Sequence, residues 1–387
     1  MSNYQVPDPI INSPFEEPEH HWNIVEGEEP QLLPDRRPSV YFYRDPKAKT
    51  GKDYRGDRGT PIELKLVNLI RERVKDWRDA GYPGVTRTTN ELLQWWRRDG
   101  RKVRLFFAQI EAAETIIFLN EARADFRQGI EIPRDEPGEE ARKAGYRGFL
   151  RYACKMATGT GKTTVMAMVA AWSILNKLAN RSDGRFSDAV LVVCPNVTIR
   201  DRLNELKPQL GDASVYRTRD IVPKDLMSIL TQGRVLVTNW HVFSPQVVQQ
   251  GGVSAKVIKS GIKETKIETI IIGPKKTSAR GHRYLTPSEL NRQIAAGLLT
   301  VLKEERDKSG ALKRVKVESV RYVKSDTALI GDVLGRDLGK KENLLVMNDE
   351  AHHAYRIRRP EPDEEQEEIT FVKKKRPKNF SRKQPSG

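Results

Sequence analysis

The chain has 387 residues, with 68 Lys and Arg against 52 Asp and Glu, which gives a formal net charge of +16. This length accommodates two or three domains. The basic excess favours a polyanionic partner, nucleic acid first, with a merely solvated surface as the alternative. The two cysteines lie in predicted buried strands and have no metal-ligand spacing, which excludes a disulfide scaffold and a zinc site and fits a reducing cytoplasm.

The first 58 residues are rich in Pro, Glu and Asp. Such a composition predicts an extended or disordered segment, because it offers little apolar surface to bury. The block Ser39–Tyr43 is the exception, since it reads as one strand that docks on the body of the protein.

Residues 59–130 read as a helical segment. Thr60–Glu63 has the pattern of a helix start, with Thr as the cap, Pro at the first helical position and Glu at the third, and Gly81 ends that helix. Thr88–Glu91 predicts a second capping box, which opens a helix that carries Trp95 and Trp96. We interpret the two tryptophans as core residues rather than a base-stacking platform. Five basic residues in this region are equally consistent with phosphate contacts and with a solvated face: Arg97, Arg98, Arg101, Lys102 and Arg104.

Gln109 follows two phenylalanines and an alanine, some fifty residues before a glycine-rich stretch. Its amide both donates and accepts hydrogen bonds, which suits the N6 and N7 edge of adenine. We therefore predict that Gln109 reads adenine.

A charged linker, residues 131–147, leads to a glycine-rich loop that opens a helix. Phe149–Cys154 is predicted to be a short buried strand, Ala157–Gly161 the loop, and Lys162–Leu178 an apolar helix. Such a loop presents unpaired backbone N–H groups and the positive end of the helix dipole to a phosphate. The residues predicted to bind the nucleotide here are Thr158, Gly159, Thr160, Gly161, Lys162, Thr163 and Thr164.

Within that loop, Lys162 would neutralise the β- and γ-phosphates, and the Thr163 hydroxyl would ligate Mg²⁺. The pattern is that of a P-loop with one departure, because Met156 stands where the general motif has its first glycine.

Three apolar runs alternate with helical patterns and predict βαβ units with a parallel sheet. They cover residues 189–195, 235–240 and 343–348. The run at 343–348 ends directly before Asp349 and Glu350, which places both residues at the predicted carboxyl edge of the sheet. Ligands of open parallel sheets bind at that edge. Asp349 would hold Mg²⁺, and Glu350 would act with Lys162 in catalysis by polarising the attacking water. A metal site built from Glu350, His352 and His353 is disfavoured, since the HExxH spacing is absent.

With these motifs placed, the sequence resembles the first motor domain of the DEAD/DEAH-type helicases of superfamily 2, and most closely the Res subunit of type III restriction systems. The resemblance covers roughly residues 100–360. The matching segments are Phe106–Gln109, Met156–Thr163, Val192–Arg202, Val237–His241 and Asn348–His353. Val192–Arg202 and Val237–His241 resemble the family's DNA-side motifs, and the softer matches are Gln109 and Val192–Arg202.

The resemblance implies an α/β fold, a RecA-like domain over residues 148–360 with an insertion at about 241–340. It implies ATP and Mg²⁺ as cofactors and double-stranded DNA or another nucleic acid as partner. It also implies a methyltransferase (Mod-type) subunit as a further partner. The family's second RecA-like domain and its nuclease domain have no counterpart in this sequence. We therefore expect an N-terminal fragment with a charged tail, residues 361–387, and weak ATP hydrolysis; a non-enzymatic nucleic-acid-binding fragment or an inactive partial product is the alternative.

Overall fold

The computed structural model describes most of the chain up to Ala351. The described ranges are 6–25, 28–43, 60–143, 145–243, 261–273, 283–307, 309–324, 330–331, 334–335, 338 and 343–351. The chain divides into two units, Met1–Asp349 and Glu350–Gly387. Among the described helices, none combines the length and the apolar character that a membrane crossing requires.

The helices of the first unit are α1 Lys65–Asp79, α2 Arg87–Arg97, α3 Phe107–Glu121, α4 Glu139–Lys143, α5 Lys162–Ala179, α6 Val197–Leu203, α7 Val215–Thr218, α8 Met227–Leu230 and α9 Pro287–Ala295. The strands are β1 His20–Asn23, β2 Gln31–Pro34, β3 Val40–Tyr43, β4 Thr60–Glu63, β5 Arg134–Asp135, β6 Phe149–Leu150, β7 Ala189–Cys194, β8 Arg234–Asn239, β9 Gly261–Ile272, β10 Arg283–Leu285, β11 Leu299–Arg306, β12 Leu312–Lys324 and β13 Leu345–Asn348. The element order is therefore mixed α/β, as the sequence predicted.

The N-terminal segment is folded over much of its length, where the composition predicted extended or disordered chain. β1 pairs antiparallel with β2, and β3 pairs antiparallel with β4. The segment packs on the start of α3, because the Phe107 N–H donates to the Pro14 carbonyl at 2.9 Å and the rings of Phe15 and Phe106 lie 5.5 Å apart. Arg36 forms a bidentate ion pair with Glu111 of α3, which also holds the N-terminal segment on this helix.

Two predicted helix starts are wrong. Thr60–Glu63 is strand β4, since its backbone pairs with β3, and α1 begins only at Lys65. The cap of α2 is Thr86, two residues earlier than predicted, and its hydroxyl accepts a hydrogen bond from the Thr89 N–H. The prediction that β3 docks on the body is confirmed, because the Ser39 N–H is bonded to the Asn68 side chain of α1 at 2.7 Å.

One core joins α1, α2, α3 and α5 to the sheet. Trp77, Trp96 and Phe118 are buried almost completely within it. The predicted core role of the tryptophan pair is confirmed, because the indole N–H groups of Trp95 and Trp96 donate to the Asp220 and Ile221 carbonyls. These bonds satisfy the polar end of each ring inside the protein.

The predicted parallel sheet is present, with strand order β13-β7-β8. β7 lies in the middle and is buried almost throughout, as its uninterrupted apolar run requires. β13 and β8 both pair with it in parallel, with Asn348 opposite Val193 and Asn239 opposite Cys194. β13 is only half-buried along its length.

The predicted buried strand at 149–154 is wrong. Only Phe149–Leu150 is a strand, it is exposed, and it pairs antiparallel with β5 outside the parallel sheet. The Arg151 guanidinium forms an ion pair with Asp135 at 3.1 Å, which holds the segment on that small hairpin. Cys154 is consequently exposed, whereas Cys194 is buried as predicted.

The insertion between β8 and β13 contains a second sheet with strand order β10-β9-β12-β11 and its own small core. The apolar residues Leu290, Ile294, Leu298, Leu299 and Leu302 have helical spacing and predict one helix, but α9 ends at Ala295 and Gly297 has a φ of +69°. A glycine at positive φ ends a helix readily, and Leu299 then starts strand β11. The apolar run at 267–272 lies in β9.

Candidate nucleotide site

The carboxyl ends of β7, β8 and β13 form one edge of the parallel sheet. Asp349 is the residue directly after β13, and its N–H donates to the Val193 carbonyl at 2.9 Å. Burial raises the pKa of the neighbouring Cys194 thiol, and the charge of Asp349 adds to that rise. Asp349 is therefore held at the carboxyl edge by the backbone of the central strand.

The carboxyl half of the helix α5 packs near the starts of β7 and β8. In this half of the helix, Ser173 exchanges two hydrogen bonds of 2.9 Å with Ser187, which lies two positions before the start of β7. Ile174 lies against Gly233, which directly precedes β8. This part of α5 is therefore at the amino edge of the sheet. Lys162 stands eleven positions earlier, roughly 16 Å along a helix, which is comparable to the length of a six-residue strand.

These contacts place the carboxyl half of α5 at the amino edge of the sheet, and the bond to Val193 places Asp349 at its carboxyl edge. Both β13 and α5 belong to the same packed core, into which Leu345 and Met347 point from the strand.

The loop before α5 has the backbone that a phosphate cradle needs. Gly159 and Gly161 have φ values of +84° and +80°, a region that residues with a side chain rarely adopt. Gly161 is the N-cap of α5 and no side chain caps this helix end, so its first N–H groups are left to other partners. A Cβ placed on Gly159 would meet no atom within 4 Å, which shows open space beside the loop. These features fit a bound phosphate group.

The three residues that open α5 differ in exposure. Lys162 and Thr163 are half-buried, whereas Thr164 is buried and its N–H donates to the Gly161 carbonyl at 2.9 Å. Thr158 and Gly159 are exposed.

The predicted adenine reader, Gln109, touches the loop itself. It is 6% exposed, its Nε2 donates to the Thr160 carbonyl at 2.9 Å, and its Oε1 accepts from the Phe106 N–H at 2.9 Å. The Thr160 hydroxyl in turn donates to the Ala157 carbonyl at 2.7 Å. Gln109 therefore anchors the glycine loop to the start of α3, and its reading of adenine stays a prediction.

Glu350 is the first residue of the second unit and has a φ of +51°. His352 and His353 lie outside the described residues. Over the part of the chain that the structure describes, no group of three or more His, Cys, Asp or Glu side chains is placed to hold a metal ion. Oxygen ligands for Mg²⁺ would come here from single residues and from the nucleotide itself.

Three of the five basic residues at and after the end of α2, Arg97, Arg98 and Arg101, are bound to protein partners, whereas Lys102 and Arg104 are exposed. Arg97 forms an ion pair with the buried Glu114 at 2.6 Å, and Arg98 forms one with Asp220. Arg101 donates to the backbone carbonyls of Arg219 and Asp220. Burial lowers the pKa of Arg101 to about 10, and the charge of Arg98 contributes to this decrease. These side chains hold the helical segment on the sheet domain rather than presenting a free basic face.

A buried polar cluster that the sequence analysis missed stands behind α5. Glu121, at the end of α3, accepts hydrogen bonds from the Trp172 indole at 2.6 Å, the Thr89 hydroxyl at 2.7 Å and the Thr86 N–H at 2.9 Å. Asn176 of α5 joins the same cluster through Thr86 and Thr89. Glu121 and the four residues clustered with it come from three helices, α2 with its cap, α3 and α5, so no local pattern could reveal the cluster.

Residues 102–273 match the family model described as type III restriction enzyme, res subunit. This match includes Gln109, the glycine loop, β7 and β8, and it ends before Asp349. No curated protein and no solved structure matches the chain. Residues 102–273 form a domain of the res-subunit family of type III restriction enzymes, which is a DEAD-like helicase domain of superfamily 2.

Proposed function

We propose that this chain is an ATP-binding, nucleic-acid-binding motor domain of the RecA-like type. The observation that carries the proposal is the glycine loop that opens α5, with Gly159 and Gly161 at positive φ and no side chain capping the helix. Asp349 at the carboxyl edge of the parallel sheet supports it, and we propose that Lys162 and Asp349 face one nucleotide there. Open parallel sheets bind their ligands at this edge.

The roles of the residues follow from their chemistry. The backbone of Thr158–Gly161 and the first turn of α5 would hold the phosphates, and the Lys162 ammonium would neutralise their charge. The Thr163 hydroxyl and the Asp349 carboxylate are oxygen donors of the kind that Mg²⁺ prefers. Glu350 would orient and polarise the attacking water. Bound Mg²⁺ would supply charge stabilisation at the transferred phosphoryl group.

The nucleic-acid part of the proposal depends on charge and on the matched family. A net charge of +16 favours a polyanion, and the matched domain is a helicase-like one from a restriction enzyme. DNA is therefore the partner that we propose. A methyltransferase subunit is a further partner that the family suggests.

The experiment that tests nucleotide binding compares wild type with Lys162→Ala by titration of a fluorescent ATP analogue in the presence of Mg²⁺. Lys75→Ala is the matched control, because Lys75 is an exposed lysine of α1. We expect Lys162→Ala to abolish measurable binding and Lys75→Ala to leave it unchanged. Binding by Lys162→Ala with wild-type affinity would contradict the proposed site.

A further inference from the structure

Two neighbouring residues of the N-terminal segment bind the first turn of α3. The Pro14 carbonyl accepts a hydrogen bond of 2.9 Å from the N–H of Phe107, the first residue of that helix. The half-buried ring of Phe15 lies 5.5 Å from the ring of Phe106, and the Arg104 guanidinium lies 4.2 Å from the Phe15 centroid. Because the first N–H groups of a helix have no partner within it, the segment supplies a bond that this helix end needs.

Two ion pairs attach the same segment further along. Arg36 pairs with Glu111 of α3, and only 24% and 14% of the two side chains are exposed. Glu17 lies 3.4 Å from the Arg78 guanidinium of α1, which also pairs with the buried Glu114 of α3. The segment is therefore bound to α3 at its first residue and again one turn later.

Phe106 connects this attachment to the glycine loop. Its ring packs on Phe15, and its N–H donates to Oε1 of Gln109 at 2.9 Å. Nε2 of Gln109 donates in turn to the Thr160 carbonyl of the loop at 2.9 Å. An unbroken series of contacts thus leads from the N-terminal segment to the loop that opens α5.

The glycine loop gains from support outside its own sequence. Gly159 and Gly161 have positive φ, and no side chain caps the start of α5. Glycine loses more conformational freedom than any other residue when its backbone is fixed. A loop that is already held in one conformation binds its ligand more tightly, because less free energy is lost in ordering it.

We propose that the N-terminal segment holds the glycine loop in its phosphate-binding conformation, with Phe15 and Arg36 as positioning residues that act through α3. Nucleotide binding and attachment of the segment therefore strengthen each other, and linkage requires that each does so by the same factor. This inference rests on the proposed function, because it names what prepares the nucleotide site. A segment that only stabilised the fold would respond no more to nucleotide than the rest of the chain.

The first measurement is the affinity of the full chain for the fluorescent ATP analogue with Mg²⁺. Phe15→Ala removes the ring that packs on Phe106, so the affinity should fall by roughly 2- to 12-fold, the range that one aromatic pair contributes. Phe15→Tyr keeps the ring and should restore wild-type affinity. Phe42→Ala is the matched control and should also bind as wild type does, because Phe42 is an aromatic residue of β3 that is 44% exposed.

The second measurement uses wild type and follows the release of residues 1–36 by a low concentration of trypsin. No Lys or Arg precedes Arg36, and trypsin does not cut readily between Arg37 and Pro38, so one peptide reports the cut after Arg36. Trypsin must take up the Arg36 side chain, which is bound to Glu111 while the segment is attached. Cleavage follows the population of the opened form when opening and closing are fast. Bound nucleotide should therefore slow the release several-fold.

Two controls accompany the release assay. Cleavage after Arg306, whose side chain is exposed at the end of β11, is the internal reference and should proceed equally with and without nucleotide. Lys162→Ala, which we expect not to bind the nucleotide, should release the peptide at the same rate in both conditions.

Three outcomes overturn the inference and leave the proposed function in place. They are wild-type nucleotide affinity in Phe15→Ala, an unchanged release rate in wild type saturated with nucleotide, and equal slowing of the cuts after Arg36 and Arg306. If Phe15→Ala does not fold, the release assay on wild type decides alone. Absence of nucleotide binding by wild type overturns the proposed function together with this inference.

Discussion

The Nε2 of Gln109 donates a hydrogen bond to the carbonyl of Thr160 at 2.9 Å, and this bond ties the start of α3 to the glycine loop. The same side chain accepts from the Phe106 N–H, so it also closes the first turn of its own helix. The N-terminal segment packs on that turn through Phe15 and Pro14. The conformation of the glycine loop therefore depends on Gln109, and through the start of α3 on Phe15 and Pro14 of the N-terminal segment.

Replacement of Gln109 by Ala separates two roles of this amide. Because the amide holds the loop, we expect Gln109→Ala to weaken binding of ATP and of inorganic triphosphate by similar factors. Adenine reading adds a further loss that only ATP can show. The measurement is competition of each ligand against a fluorescent nucleotide. A loss for ATP with unchanged triphosphate binding would contradict the loop-anchoring role.

Replacement of Gly161 by Ala should damage the loop in two ways. A side chain at a φ of +80° is strained by about 1–3 kcal/mol, and the added Cβ would overlap with Nε2 of Gln109. We expect the affinity for the ATP analogue to fall by at least about tenfold, or 1.4 kcal/mol. Nucleotide titration of the purified variant measures this loss.

Gly81→Ala is the control for Gly161→Ala, since Gly81 has the same φ of +80° and a Cβ there would meet nothing within 4 Å. It should lower stability and leave nucleotide affinity unchanged. The double variant Gly161→Ala with Gln109→Ala removes the overlap but keeps the strain. Wild-type affinity in Gly161→Ala alone would show that the loop does not have the described backbone.

Replacement of Glu121 by Ala tests the buried cluster behind α5. Removing the carboxylate leaves two buried donors, the Trp172 indole and the Thr89 hydroxyl, and the half-buried Thr86 N–H without this partner. We expect the free energy of unfolding to fall by about 3 kcal/mol. Urea denaturation measures the change. Glu91→Ala, an exposed position on α2, should change it by less than about 0.5 kcal/mol, and an equal effect of both variants would contradict the assignment.

Duplex DNA binding should weaken as salt rises, because Lys and Arg side chains displace counterions from the phosphates. The measurement is duplex affinity over a series of NaCl concentrations, plotted as logarithms. Arg101→Gln should leave the slope unchanged, since its guanidinium is bound to the Arg219 and Asp220 carbonyls. An affinity that is constant between low and moderate salt would contradict phosphate contacts.

The sequence was informative where structure is local. The apolar run predicted β7, and the glycines before Lys162 predicted the start of α5, each within one or two residues. A strand that is buried on both faces requires an uninterrupted apolar run, and a loop with positive φ requires glycine, so both features can be recognised in the sequence. The pairing of three strands in parallel followed from the same runs.

The errors came from contacts that only the folded chain makes. Thr60–Glu63 has the sequence pattern of a helix start, but its backbone pairs with β3 and forms a strand. Phe149–Cys154 has the apolar pattern of a buried strand, yet only Phe149 and Leu150 form a strand, and they pair with β5 in an outer hairpin. Glu121 and Trp172 are 51 positions apart, and neither residue alone indicates a bond to the other. The role of Gln109 as a loop anchor was missed for the same reason.

The most direct test of the central claim, that Lys162 and Asp349 serve one magnesium-bound triphosphate, is a titration of the ATP analogue with and without Mg²⁺ in Asp349→Asn. Wild type should bind more tightly when Mg²⁺ is present. Asp349→Asn should keep the affinity that wild type shows without Mg²⁺ and lose the gain that Mg²⁺ brings, because the carboxylate that helps to hold the ion is gone. A gain from Mg²⁺ in Asp349→Asn as large as in wild type would contradict the account.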